Sequence, residues 1–276
     1  MKILIVMIRW KGGVGRVVSS IKSLLEERGH KVEVISREDD LKCYSLKESI
    51  FKLRKEVKER DYDTLYVMDW SCALPLITKK NMFLGLMGIE TKNPILQKIV
   101  TSIKGKKAIS ISSELKRLYP KSNLNYLGID LKEFKDLKIE RIPNSVGFVN
   151  WHNENYNYKE IRRTIERLNL KFIESNMNLS KEELVNLYNS VETFISLPKS
   201  FAGFNQSWIE AMACGVPRII GNNNGVGEML NMNHVEDFKD IEDVLKNSKQ
   251  IDYKIPKEFN WDNHVNKLLE VFKWEY

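Results

Sequence analysis

The sequence predicts an α/β protein built from two units, each with a parallel sheet covered by helices. Short apolar runs of strand length alternate with amphipathic segments of helix length along the whole chain. A length of 276 residues suits two domains of ordinary size. The excess of positive charge is confined to the first 140 residues, which indicates two units with different surfaces.

The first series opens with the run KILIVMI (2–8), which has the composition of a buried strand. A helix is predicted around 15–28, because apolar residues recur there at helical spacing. The further predicted elements, in chain order, are strand 28–36, a charged helix 45–60, strand 63–69, helix 93–104, strand 107–112 and a short helix from Ser113 that leads to NYLGID (125–130).

The second series starts near residue 145. It contains the sequence of a capping box, with Ser180 before a helix at 180–190 and Glu183 three residues later. The other predicted strands are 145–150, 170–175, 191–197 and 217–221, and the other helices are 157–168, 206–214, 239–247 and 261–273. We therefore divide the chain into domains 1–140 and 141–276, with the last helix able to pack back on the first domain.

The composition of the chain disfavours several classes of protein. A hydrophobic content of 42% is ordinary for a globular protein, and no apolar run approaches the length that spans a bilayer. The first apolar stretch is too short for a secretory signal and ends at Arg9. The three cysteines and four histidines show neither a disulfide framework nor a ligand spacing. We expect a cytoplasmic protein, with any membrane contact peripheral at the inner face, and no metal site.

Positive charge is concentrated in the first half. Residues 1–140 contain 28 Lys and Arg against 18 Asp and Glu, and residues 141–276 contain 16 against 19, so differences of +10 and −3 give the net +7. A basic half can meet an acidic membrane surface, a phosphorylated acceptor or nucleic acid. Surface lysine used for solubility explains the charge equally well. The candidate patches are KLRKEVKER (52–60) and IKGKK (103–107), and no recognisable nucleic-acid-binding motif accompanies them.

The stretch WKGGVGRVV (10–18) is a glycine loop between a predicted strand and a predicted helix. Its glycines allow close backbone approach, and the helix adds free N–H groups, so the loop can bind an anion. A P-loop ATPase would carry a Lys and then a Ser or Thr where this chain has Arg16 and Val17, which disfavours that function. A tight turn without a ligand is the simpler alternative.

A second glycine loop runs into a helix at AGFNQSWIEAMACGVP (202–217). It again presents backbone donors at a helix start. Glu210 lies inside that helix among small residues, where its carboxylate can accept two hydrogen bonds from a vicinal diol such as a ribose. An exposed helix glutamate without a ligand is the alternative.

Together these segments resemble the retaining glycosyltransferases of family 4 (glycosyl transferases group 1), which have the GT-B fold of two facing Rossmann-like domains with an interdomain cleft. The C-terminal pattern of that family is roughly E-G-F-G-x-x-x-x-E-A-M-A-C-G-x-P-V-I, close to residues 202–219 here. Further segments resemble the family in the right order: WKGGVGRVV, KAISISSELKRLY (107–119), NYLGIDLKEF (125–134), ELVNLYNSVETFISLPKS (183–200) and GNNNGVGEML (221–230).

The resemblance implies a role for each matching residue. Glu210 would bind the nucleotide ribose, and Asp69, after a strand of the first unit, would orient the acceptor hydroxyl or simply cap the next segment. Arg16 would add positive charge beside the glycine loop, and Lys159 would keep a lysine of the family's diphosphate clamp. The donor diphosphate would meet Gly13, Val14 and Gly15, and the donor sugar would meet Gly203, Phe204 and Asn205.

Three departures from the family pattern concern the donor. Ala202 replaces the first glutamate of the family's glutamate pair, which contacts the sugar hydroxyls. Asn205 replaces the last glycine of G-F-G and could supply a polar contact in its place. Asn150 and Trp151 stand where the clamp has Gly and Arg.

The function implied is transfer of a sugar from a nucleotide-diphospho-sugar, such as a UDP- or GDP-sugar, to an acceptor hydroxyl with retained anomeric configuration. The acceptor would be a glycan, free, lipid-linked or protein-linked, and no metal or other cofactor is expected. The first alternative is a catalytically degenerate protein that binds a nucleotide-sugar or a glycan. A P-loop-like ATPase is the less favoured alternative, and nucleic acid is not an expected partner.

Overall fold

The computed structural model describes residues 1–89, 93–175, 179–199 and 203–273. Within these ranges the chain forms two compact units, one of residues 1–128 and 258–276 and the other of residues 129–257. No helix in the described part of the chain is both long enough and apolar enough to cross a lipid bilayer.

The first unit is a six-stranded parallel sheet with helices on its faces. Its strands are β1 (Lys2–Met7), β2 (Lys31–Ser36), β3 (Thr64–Val67), β4 (Met82–Leu86), β5 (Ala108–Ser110) and β6 (Asn123–Leu124), in the order β2-β1-β3-β4-β5-β6. Its first five helices are α1 (Gly13–Glu27), α2 (Leu46–Lys58), α3 (Trp70–Ala73), α4 (Pro94–Lys104) and α5 (Ser113–Leu118). The interior strands β1, β3 and β4 are almost entirely buried, as expected for a sheet covered on both faces.

The second unit is a five-stranded parallel sheet. Its strands are β7 (Ile142–Phe148), β8 (Lys171–Glu174), β9 (Val191–Ile195), β10 (Arg218–Gly221) and β11 (Asn233–His234), in the order β11-β10-β9-β7-β8. Its helices are α6 (Tyr158–Arg167), α7 (Lys181–Ser190), α8 (Gln206–Ala213) and α9 (Ile241–Asn247). The predicted capping box at Ser180 and Glu183 is confirmed, with both reciprocal hydrogen bonds present.

The division between the units differs from the boundary that the sequence suggests. Residues 129–140, placed before that boundary, belong to the second unit. The reason is a pair of hydrogen bonds in which Asn189 of α7 accepts from the Leu137 N–H (2.7 Å) and donates to the Lys135 carbonyl (3.0 Å). The Phe134 ring also packs against the ring of Tyr188.

Helix α10 (Trp261–Lys273) returns to the first unit. The Phe272 ring lies 4.9 Å from that of Phe83, and Arg28, directly after α1, pairs with Asp262 at 2.7 Å. His264 is fully buried, and its Nδ1 lies 2.9 Å from the carbonyl oxygen of Tyr126. The helix is therefore part of the core of this unit.

We expect His264 to make folding sensitive to acid. Burial lowers the pKa of His264 from 6.5 to about 4. Between these pH values the unfolded state binds more protons, so stability present above pH 6.5 is lost as the pH falls toward 4. The loss should reach about 3 kcal/mol of unfolding free energy. Urea unfolding at several pH values across this range should show the loss of unfolding free energy. In His264→Asn, which keeps a donor near Nδ1, the unfolding free energy should change much less with pH. Equal pH profiles for the two proteins would contradict the expectation.

Candidate functional site

The glycine loop of the first unit lies between β1 and α1, at the carboxyl edge of the sheet. Helix α1 begins at Gly13, after Gly12 with φ 92°. A Cβ atom on Gly15 would lie 1.7 Å from the Trp10 carbonyl oxygen, whereas one on Gly13 would meet no described atom within 4 Å. The backbone is therefore tightly packed around Gly15, whereas the space beside Gly13 holds no described atom. The 15-residue helix presents its N-terminal amides at Gly13. Val14 and Arg16 are half-buried beside it.

A carboxylate that the sequence analysis missed fixes the loop. Asp39, just after β2, accepts hydrogen bonds from the Trp10 N–H (2.6 Å) and the Ser36 hydroxyl (2.8 Å). The Trp10 hydrogen bond is the largest cause of the lowered pKa of Asp39, followed by the bond from Ser36. The position of Asp39 after a predicted strand could have indicated this contact, since parallel strands bring their carboxyl ends to one edge of the sheet.

The two glycines provide a matched pair of substitutions. Gly15→Ala should lower the unfolding free energy by about 3 kcal/mol, because the added methyl group collides with backbone rather than with a movable side chain. Gly13→Ala should leave stability unchanged or raise it by up to about 1 kcal/mol, since alanine favours the helix. Urea midpoints measure both effects, and equal midpoints for the two variants would show that the loop is not tight at Gly15.

Asp69 occupies the N-cap of the short helix α3. Its Oδ1 accepts from the Ser71 N–H at 2.7 Å and from the Ser71 hydroxyl. Arg37, which is buried, donates to the same hydroxyl at 2.9 Å. This geometry shows the capping role that the sequence offered as an alternative, and the acceptor-orienting role stays a prediction.

In the second unit, five asparagines surround residues 196–198, directly after β9. They reach this segment from the carboxyl ends of β7 and β10 and from the starts of α6 and α8. We call these five residues the asparagine frame. Asn150 and Asn205 each donate to the Ser196 hydroxyl (2.8 Å). Asn157 donates to the Leu197 carbonyl (2.7 Å), and Asn222 and Asn224 donate to the Pro198 carbonyl (2.8 and 2.7 Å). Together with the backbone bond from the Ser196 N–H to the Ile220 carbonyl of β10 (3.1 Å), these buried hydrogen bonds fix the segment that follows β9.

Glu210 is buried, with only 2% of the residue exposed, so the alternative of an exposed helix glutamate is wrong. Its Oε2 accepts a hydrogen bond from the hydroxyl of Tyr188 at 2.9 Å. Tyr188 is on α7 and is itself fully buried. The helical spacing of Leu184, Leu187 and Tyr188 predicts a buried face, but nothing in the sequence pairs this tyrosine with a carboxylate 22 positions later.

The other predicted donor-binding residues lie nearby in the second unit. Asn205 directs its side chain inward, donating to Ser196 and accepting from the Ser207 hydroxyl at 2.9 Å. Gly203 is buried and Phe204 is half-buried. Lys159 is exposed in the first turn of α6. Ala202 lies outside the described residues.

Arg141 is a further residue that the sequence analysis missed. It precedes β7, and its guanidinium donates to five backbone carbonyls at the carboxyl ends of α7 and α8. These helices carry Tyr188 and Glu210. Arg141 therefore holds together the two helices that supply the buried hydrogen-bonded pair.

The sequence was compared with models of known protein families and with curated proteins. The family model of the glycosyl transferases group 1 matches residues 97–267, which is more than half of the chain. No curated protein sequence matches.

Similar solved structures cover the whole chain. Sucrose-phosphate synthase from Thermosynechococcus elongatus has a TM-score of 0.73 at 12% identity, over 100% of this chain and 99% of that one. Anabaena Alr3699/HepE in complex with UDP and glucose has 0.65 at 14% identity, over 99% of both chains. The lipopolysaccharide outer core galactosyltransferase WaaB has 0.66 at 13% identity, over 100% of both. These likenesses concern the fold.

The predicted fold class is confirmed, because both units are parallel-sheet α/β domains and their structural neighbours are glycosyltransferases of the GT-B fold. The match of the family model extends from α4 of the first unit to α10 and includes the whole second unit, with Tyr188, the asparagine frame and Glu210. The chain therefore belongs to the glycosyl transferases group 1.

Proposed function

We propose that this protein is a retaining glycosyltransferase of family 4 that moves a sugar from a nucleotide-diphospho-sugar to an acceptor hydroxyl. The observation that carries the proposal is Glu210, a buried carboxylate held by Tyr188 on a helix that begins at the carboxyl edge of a parallel sheet. Ligands of such sheets bind at that edge. A carboxylate has about four acceptor positions, so the bond from Tyr188 is compatible with two more from the hydroxyls of a ribose.

The chemical demand of the reaction is to stabilise the departing nucleotide diphosphate. The bond between the anomeric carbon and the diphosphate oxygen breaks as the acceptor oxygen bonds to that carbon. The acceptor proton passes to the leaving phosphate, so no separate base is required. The amide end of α1 at Gly13 supplies preorganised donors for such an anion. Arg16 is the cation we propose beside this amide end, and Lys159 is the lysine we propose for a diphosphate clamp of the second unit; we propose no metal.

The neighbouring structures support the class of donor. HepE has been solved in complex with UDP and with UDP-glucose, and an alpha-glucosyltransferase in complex with UDP and DNA is a further neighbour. By analogy we propose a UDP- or GDP-sugar as the donor. The acceptor we propose is a glycan, free or linked to a lipid or a protein.

A thermal-shift panel tests the proposal. The protein is heated with UDP, GDP, ADP, dTDP, CMP and their sugar conjugates, and with ATP, each with and without magnesium. A ligand at about 100 times its Kd stabilises the folded state by about 2.7 kcal/mol. We expect one nucleoside diphosphate to raise Tm without magnesium. Stabilisation by magnesium-ATP alone would favour an ATPase instead.

A second candidate is a nucleotide-sugar or glycan binding protein without turnover. It is favoured by Ala202, which replaces a sugar-contacting carboxylate of the family pattern. The inward amide of Asn205, bonded to Ser196 and Ser207, agrees with it. Ala202→Glu separates the two functions: turnover that appears only in this variant identifies a degenerate enzyme, and turnover in the unaltered protein excludes that candidate.

A further inference from the structure

Helix α4 of the first unit exposes three isoleucines and buries polar residues, unlike an ordinary surface helix. Ile95, Ile99 and Ile103 face outward, with 72%, 46% and 61% of each residue exposed. Their spacing of four residues places them in one stripe along the helix. Gln97 and Thr101 face inward and are buried beside the apolar Val100. A helix that packs on a sheet normally buries its apolar face instead.

The inward polar residues are held by specific hydrogen bonds. Gln97 donates to the Gly88 carbonyl (2.7 Å) and accepts from the Tyr119 hydroxyl (2.9 Å). Lys104, also turned inward, donates to the carbonyl of Lys79 at 2.9 Å. These bonds fix the rotation of α4 about its axis, so the isoleucine stripe is an established outer surface of this unit.

The charge around the stripe is predominantly positive. Residues 94–107 contain four lysines and no Asp or Glu. Lys98 and Lys106 are exposed beside the isoleucines. Helix α3 contacts both α4 and α2. Helix α2 adds an exposed Phe51 (71%) and, against its two acidic residues Glu48 and Glu56, the exposed lysines Lys47, Lys52, Lys55 and Lys58. We call the outward residues of α2 and α4, together with Lys106 just after α4, the cationic-apolar face.

We propose that the cationic-apolar face docks on an anionic lipid bilayer, with the three isoleucines below the headgroups and the lysines at the level of the lipid phosphates. Aliphatic side chains flanked by lysine are the composition of helices that lie in a membrane interface. Lysine is depleted at protein–protein interfaces, which favour aromatic residues and arginine. Long lysine side chains also reach phosphate while their stems cover apolar surface.

Vesicle co-sedimentation of the full chain tests this inference without any donor or acceptor sugar, so its outcome is independent of the proposed function. Vesicles of phosphatidylcholine alone are compared with vesicles that also contain phosphatidylglycerol. We expect binding only to the anionic vesicles, and weaker binding as salt is raised. The triple variant Ile95→Ser, Ile99→Ser, Ile103→Ser should lower the partition coefficient by at least about tenfold.

The second unit offers a matched control triple. Leu131, Leu137 and Ile139 are similarly exposed, and replacing all three by serine should leave vesicle binding unchanged. Lys98→Glu with Lys106→Glu should remove the preference for anionic lipid, whereas Lys171→Glu with Lys254→Glu should not. The proposal is overturned if the isoleucine triple binds like the unaltered protein. It is also overturned if the face instead forms a dimer, seen as a sedimentation-equilibrium mass that the isoleucine triple halves without vesicles present.

Discussion

Glu210→Gln is expected to weaken binding of a nucleoside diphosphate by about 100-fold. Hydrogen bonds to a charged group contribute about 1.5–3 kcal/mol each, more than bonds to a neutral amide, and a ribose makes two of them. Because glutamine has almost the same volume as glutamate, the buried site keeps its packing. Since the ribose contacts are made in both the ground state and the transition state, kcat/KM should fall by the same factor while kcat changes little.

Isothermal titration with two ligands isolates the contact. UDP and its 2′-deoxy analogue differ by one hydroxyl, so the unaltered protein should prefer UDP, and Glu210→Gln should lose most of that preference. Tyr188→Phe is the companion variant, since it removes the hydroxyl that orients the carboxylate and should have a smaller effect in the same direction. An unchanged preference in Glu210→Gln would place the ribose elsewhere, even if overall affinity fell.

The periodicity of the sequence predicts most helices because each carries its own pattern. Helices 93–104 and 261–273 agree with α4 and α10 within a residue. Strand β4 is missing from the prediction, although all five of its residues are buried. Its Gly85 is a weak strand former in isolation, but here it makes room for the Tyr66 ring, since a Cβ would lie 2.7 Å from the tyrosine hydroxyl. That reason exists only in the folded sheet.

The sequence predicts where the candidate site lies but not which residues form hydrogen bonds within it. A glycine loop after a strand marks a carboxyl edge, and both loops lie at such an edge. The partners of these loops are far away in sequence: Asp39 holds Trp10, Tyr188 holds Glu210, and the asparagine frame draws on four separate segments. Single asparagines after strands carry no local pattern, so only the topology brings them together.

Arg141→Met is expected to lower the unfolding free energy of the second unit by about 4 kcal/mol. Nη1 of Arg141 donates to the carbonyls of Tyr188, Asn189 and Val191 at 2.8–3.1 Å. Nη2 donates to those of Cys214 and Gly215 at 2.9 and 2.8 Å. The last carbonyls of a helix have no partner within it and carry the negative end of its dipole. Removal of the guanidinium leaves several half-buried carbonyls unpaired, at about 1–3 kcal/mol each before water reaches them.

Two further variants distinguish the hydrogen bonds of Arg141 from the loss of a positive charge alone. Arg141→Lys should recover less than half of the lost stability, because a single ammonium group cannot span two helix ends as a planar fork does. Arg162→Met removes an exposed arginine paired with Glu166 and should cost less than about 1 kcal/mol. Hydrogen exchange should show lost protection in α7 and α8 for Arg141→Met. Since these helices carry Tyr188 and Glu210, the same variant should also weaken UDP binding under conditions where it remains folded. Retained affinity with lost stability would show that α7 and α8 keep Tyr188 and Glu210 paired without Arg141.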